Sequence, residues 1–115
     1  MNSIYLVGNL ADRIELREGN GDPVAIFRLA TSRKYTDGTG ARQTVTQWHT
    51  CVAFGWRAQA VEGLSRGLLV MVHGEATERE YTDKDGQRRW IHEVRVNTTA
   101  IVCTTPKEEG NDAAN

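Results

Sequence analysis

With 115 residues, 39% of them hydrophobic and 25% charged, the chain has material for one modest core, which excludes a multidomain enzyme and an intrinsically disordered protein. Fourteen basic residues stand against fifteen acidic ones, a formal net charge of -1. Bulk charge therefore excludes a polybasic nucleic-acid binder, and any electropositive site has to come from sorting Arg and Glu onto different faces. Eleven of the basic residues are Arg, which stacks on planar groups and forks onto phosphate as Lys cannot.

Residues 3–8 alternate, with Ile4, Leu6 and Gly8 on one face and Tyr5 and Val7 on the other. Both faces are largely apolar, so outward Tyr5 and Val7 imply a covered surface at a subunit interface. The charged residues 12–18 extend this first strand, and Glu18 to Pro23 is a turn. Val24 to Tyr35 reads as the second strand, residues 36–43 as a Gly-rich polar loop, and Thr44 to Phe54 as the third strand. Gly55 breaks the pattern. Residues 56–66 carry the one helical stripe, Ala58, Val61, Leu64 and Leu68, with Gly67 placed as its C-cap. Leu69 to Tyr81 is the fourth strand, with Val70, Val72, Gly74 and Ala76 inward. Asp83 to Gly86 is a hairpin turn, and residues 88–103 form a fifth strand bent near Asn97. The chain then becomes polar and small, which sets one domain over residues 1–104 and a short flexible tail over 105–115.

Three strands, a helix and two strands is an all-β arrangement. It is the connectivity of the OB-fold, a five-stranded Greek-key barrel with one helix between strands three and four.

The aromatic residues carry the functional signal. Tyr35, Trp48, Phe54, Trp56, Tyr81 and Trp90 lie in or beside strand segments that also hold Arg28, Arg33, Lys34, Arg79, Arg88 and Arg89. Two of the rings run into near-copies of one polar phrase, Tyr35-Thr36-Asp37-Gly38 and Tyr81-Thr82-Asp83 with Gly86, where no core exists. Trp48 and Phe54 share one parity on the third strand, opposite His49, Cys51 and Ala53. Arg33 shares a face with Tyr35, and Arg79 with Tyr81, each guanidinium two residues from a ring. Rings flanked by cations suit unpaired nucleotides, since every base offers a π-face and every nucleotide a phosphate. Any single Tyr or Trp is as readily a core residue, and Trp56 reads equally as an anchor for the helix.

Other chemistry is not supported. Cys51 and Cys103 are far apart and in no metal spacing, which fits a reducing, cytosol-like compartment without disulfides. The N-terminus lacks the basic region and apolar run of a signal peptide, and no stretch reaches the length of a membrane span. His49, His73 and His92 never come within ligand spacing of one another, so they read as packing or hydrogen-bonding residues. Asp83 and Asp85 read as turn formers. No nucleophile–base pair and no phosphate-cradling Gly loop is present, so no catalytic residue, metal or cofactor is expected.

Four motifs in order, Val7-Gly8-Asn9-Leu10, Leu29-Ala30-Thr31-Ser32, Thr46-Gln47-Trp48-His49 with Phe54-Gly55, and Tyr81-Thr82-Asp83 with Gly86, resemble the bacterial single-stranded DNA-binding protein family over about residues 2–103. The resemblance implies a cytoplasmic, nucleoid-associated homotetramer acting in replication, recombination or repair. It would bind single-stranded DNA without sequence preference, stacking bases on Tyr35, Trp48, Phe54 and Tyr81. It also implies that His49, with Tyr5 and Val7, serves the subunit interface. Two departures stand out. Trp56 follows Phe54-Gly55 where the family often has a basic residue, and Glu78 and Glu80 flank Arg79. The chain also lacks the family's long linker and acidic, Phe-ended tip, so recruitment of other proteins through such a tip is not expected. The alternative from the same barrel is a dimeric primosome-type accessory protein that works mainly through protein contacts. An oligosaccharide binder would want carboxylates and amides, rather than Arg, beside its rings.

Overall fold

The structure, a computed structural model, describes residues 1–11, 14–19 and 21–103; the expected tail lies outside them. Chain order is β1 (Ile4–Leu10), β2 (Glu15–Gly19), β3 (Asp22–Thr36), β4 (Arg42–Phe54), α1 (Trp56–Val61), β5 (Leu69–Thr82) and β6 (Arg88–Cys103). β1 pairs antiparallel with β5 along its length and meets β3 at Asn9–Ala30 and Leu10–Leu29. β2 runs antiparallel on the same β3, from Glu15–Ile26 onward. The expected extension of the first strand is therefore interrupted after Leu10, and β1 and β2 act as two halves of one bent strand. Counted so, five strands close through β1–β5–β6–β4–β3–β1. This is the OB-fold that the element order implies.

Alternation builds the interior. Ala25, Phe27 and Leu29 on β3 face Cys51 and Ala53 on β4, while Val70 and Val72 of β5 and Val94 and Val96 of β6 complete the wall. Gly74 is buried beside them, but Ala76, expected inside, is exposed because the barrel ends below it. Full burial of a side chain such as Phe27 contributes about 1.5–3 kcal/mol. A Cβ on Gly74 would collide with the Arg95 carbonyl, so only glycine lets β6 cross this close to β5. One register step beyond, Gly74 pairs with Val96 and His73 with Thr98, leaving Asn97 as the extra residue of a bulge. That is the bend expected near Asn97.

The helix is shorter than its stripe suggests. It spans only Trp56–Val61. Ala58, Val61 and Leu68 still plug the barrel, with Leu64 packed against them. The reason is tertiary. The Gly67 N–H donates to the Leu10 carbonyl, the Leu10 N–H to the Leu68 carbonyl, and Asn9 Nδ2 to the Gly67 carbonyl. These bonds dock residues 67–68 on β1, and Gly63 interrupts helix propensity before them. Gly67 thus has φ 91° but caps no helix.

Candidate nucleic-acid interface

Two long hairpins run past the core: β3–β4, whose register is unbroken from Val24–Phe54 to Thr36–Arg42, and β5–β6, paired to Thr82–Arg88. Beyond Thr31 on β3, and from Glu78 on β5, every strand residue is exposed. Among the described residues nothing covers these arms, so their side chains are available to a ligand. All six rings singled out from the sequence are solvent-exposed, from 41% for Tyr35 and Phe54 to 66% for Trp56. The interior is closed by aliphatic side chains and Phe27 alone among the rings.

Register sorts the rings. On β3–β4 the face away from the core carries Arg28, Lys34, Trp48 and Phe54; on β5–β6 it carries Arg79, Tyr81 and Arg89. The parallel pair Val52–Arg95 makes these two outer faces continuous. Between them lies a cleft of about 350 Å³ lined by Val24, Ile26, Val52, Phe54, Thr77, Arg79, Glu93 and Arg95. Tyr35 with Arg33, and Trp90 with Arg88, have the parity of the core-facing residues and stand on the opposite faces of their arms.

Guanidinium groups lie against four of the rings. Arg28 sits over Trp48 at 5.3 Å, Arg33 over Tyr35 at 5.5 Å, Arg57 over Trp56 at 4.4 Å and Arg95 over Phe54 at 4.9 Å. Only Arg33–Tyr35 follows the two-residue spacing along one strand. Trp48 takes its cation from a diagonal position on the neighbouring strand. Phe54 takes Arg95 from β6, a residue that sequence reasoning passed over because nothing local joins residues 54 and 95. Arg57 was passed over too, although its place next to Trp56 was a legible signal. Arg57 Nε also donates to the Asn97 carbonyl at 3.0 Å, so Trp56 and Arg57 tie the helix to the β6 bulge while leaving the indole in solvent.

Arg79 and Tyr81 share one face of β5, as expected, but no cation–ring contact joins them among the described residues, and Arg79 Nε donates to Glu93 Oε1 at 2.8 Å. Arg88 pairs with Glu80, and Arg89 with Asp83 at 2.9 Å. Three of the six cations proposed for the site are thus matched by carboxylates.

The two loops with the repeated phrase share one hydrogen-bond scheme. Asp37 Oδ1 accepts from the Thr39 and Ala41 N–H groups, and Asp83 Oδ1 from those of Asp85 and Gln87. The outer oxygens differ: Asp37 Oδ2 accepts from Gln43 Nε2, and Asp83 Oδ2 from Arg89 Nε. The Thr39 hydroxyl, then Gln43 and the backbone N–H donors, hold the Asp37 carboxyl down at about 2. Arg89 foremost, with the Gln87 and Asp85 amides, holds Asp83 below the usual range. Asp83 and its neighbours are turn formers. Among the described residues no cluster able to hold a metal ion occurs.

The three interface candidates do not come together. Tyr5 and Val7 point outward from β1, 70% and 53% exposed, and Tyr5 stacks on His73 at 4.3 Å. His49 is half-buried on the core-facing side of β4, its Nε2 2.8 Å from Thr31 Oγ1. Cys51 is buried and free, its thiol pushed up to about 12 by desolvation. Among the described residues no helix is long and apolar enough to cross a membrane.

Comparison with known proteins agrees with this geometry. The model of the "Single-strand binding protein family" matches residues 1–102. A Plasmodium falciparum SSB solved in complex with ssDNA superposes with a TM-score of 0.82 at 25% identity, over 90% of this chain and 96% of that one. A deletion mutant of the single-stranded DNA binding protein from Thermus aquaticus superposes with a TM-score of 0.78 at 25% identity over 90% of this chain, which spans about half (51%) of that protein. An OB barrel with exposed rings along two arms, matched by the family's model over nearly its whole length, belongs to the single-strand binding protein family.

Proposed function

We propose that this chain binds single-stranded DNA without reading its sequence, and that it works by stacking and charge neutralisation rather than by catalysis, in keeping with a non-enzymatic family. The observation that carries the reading is the exposure of Trp48 and Phe54 on one continuous face, each with a guanidinium over its ring. Phe54 stands at the mouth of the cleft, and Tyr81 continues the face on the second arm. Tyr35, Trp56 and Trp90 extend the track around the arms and the barrel end. Arg28, Arg33 and Lys34 supply phosphate contacts on the first arm, with Arg79, Arg88 and Arg89 beside the rings of the second. Holding strands unpaired in this way serves replication, recombination or repair in the cytoplasm, at the nucleoid.

The assembly we propose is a homotetramer. Its supports are the outward Tyr5 and Val7 and the free edge of β1, whose pairing with β3 reaches only Asn9 and Leu10 among the described residues. His49, half-buried against Thr31 and apart from Tyr5 and Val7, serves a separate contact of the assembly in this proposal. Residues 1–104 act as the binding domain.

Titration with poly-dT is expected to quench tryptophan fluorescence at micromolar protein and low salt; emission indifferent to DNA overturns the reading. Light scattering gives the assembly, where a dimer would favour the primosome-type alternative.

A further inference from the structure

Three carboxylates of the β5–β6 arm pair with three of its arginines. Glu93 lies at the wall of the cleft, its side chain 11% exposed, beneath an Arg79 that is 61% exposed. The same order holds at Glu80 beneath Arg88 (31% against 81%) and Asp83 beneath Arg89 (20% against 59%). Each guanidinium therefore meets solvent with an anion already behind it. On the other arm, between Pro23 and Phe54, the only carboxylate is Asp37, which accepts hydrogen bonds from Thr39, Gln43 and loop amides.

We propose that Glu80 and Glu93 are attenuating residues of the DNA site, holding Arg88 and Arg79 in ion pairs that a backbone phosphate must break or share. Exposed pairs of this kind are weak and screened by salt, so phosphate competes with them but gains less than from an unpaired cation. Asp83 acts likewise on Arg89 while also closing its loop. The second arm then contributes mainly rings, and adds less affinity than its number of arginines suggests. This rests on the single-strand reading above.

The test is oligo-dT binding by the full chain at 50 and 200 mM salt, for the parent, Glu93→Gln, Glu80→Gln, Arg79→Ala and the double variant Arg79→Ala/Glu93→Gln. Releasing one arginine adds about 0.7 to the slope of log affinity against log salt for a single strand, so Glu93→Gln binds more tightly at 50 mM and loses about threefold more affinity than the parent by 200 mM. The gain disappears when Arg79 is also absent, because the carboxylate acts through that side chain. Glu80→Gln, at an exposed position that folding does not need, repeats the effect through Arg88. Two results overturn the inference: a slope unmoved by both glutamine variants, or a Glu93→Gln gain that persists without Arg79 and so reflects only the lost negative charge. A parent chain that binds no oligo-dT overturns the single-strand reading instead.

Discussion

The β3–β4 and β5–β6 arms are built on the same plan and carry opposite charge balances. Both are long two-stranded ribbons closed by an aspartate whose Oδ1 gathers two loop amides, with a left-handed glycine, Gly40 at φ 86° and Gly86 at φ 79°, completing the turn. Strands β3 and β4 with their loop hold four cations and two carboxylates; β5 and β6 with theirs hold five cations and six carboxylates. The first arm lays Arg28 and Arg33 on rings; on the second, Arg79, Arg88 and Arg89 face carboxylates and Arg95 lies on the Phe54 ring. The difference teaches that arginine content does not measure electropositive surface. The cross-strand partner of each arginine decides whether its charge faces a ligand.

The comparison breaks most readily at Trp48. Stacking on single-strand binding proteins is worth about 1–3 kcal/mol per base by alanine substitution, so Trp48→Ala should weaken oligo-dT binding by roughly tenfold or more. The melting temperature should change little, since the indole is exposed. A variant that fails to fold would return Trp48 to a structural role and remove the first arm's claim to the site.

Gly74→Ala tests what fixes the second arm to the barrel. The added methyl meets the Arg95 carbonyl, and overpacking of this kind costs about 1–3 kcal/mol. Gly38→Ala, in the loop of the first arm with open space around it, should leave thermal stability within about 0.5 kcal/mol of the parent. Equal melting temperatures would show that β6 can give way at Gly74.

The charge contrast predicts a smaller, directional effect. Arg33→Ala, whose guanidinium lies over the Tyr35 ring, should flatten the salt dependence of binding by about one phosphate contact, or about 0.7 in slope. Arg88→Ala should flatten it less, because Glu80 already offsets that cation. Equal flattening would erase the distinction between the arms.

The last prediction concerns the two loop aspartates. Both carboxyls lie below their ordinary value in the folded chain, so each favours folding above the unfolded value near 3.9, and the contribution is lost as pH falls through the folded value, about 2 for Asp37. Hydroxyl and amide donors hold Asp37, whereas an arginine is first among the causes at Asp83. Raising the salt should therefore move Asp83 back toward the ordinary range and leave Asp37 in place, read by carboxyl NMR titration.

Much of this was legible in the chain. Strand periodicity marked five strands, Asp and Gly in near-repeated phrases marked both loops, and rings running into polar loops marked surface rather than core. Those features are local, so a window of a few residues contains their cause. The helix end was not legible. The stripe continues to Leu68, but the Leu10 backbone claims the Gly67 N–H and the Leu68 carbonyl first. Nor was Arg95 beside Phe54 legible, since a parallel pairing between residues 52 and 95 brings them together.

By itself, then, the sequence determined the elements, their alternation and which residue types could meet a nucleotide, because φ/ψ preference and two-residue periodicity act over short range. The tertiary structure alone decided which cation faces which ring and which faces a carboxylate. Those choices depend on strand order and register, fixed by closure of the barrel across residues distant in the chain.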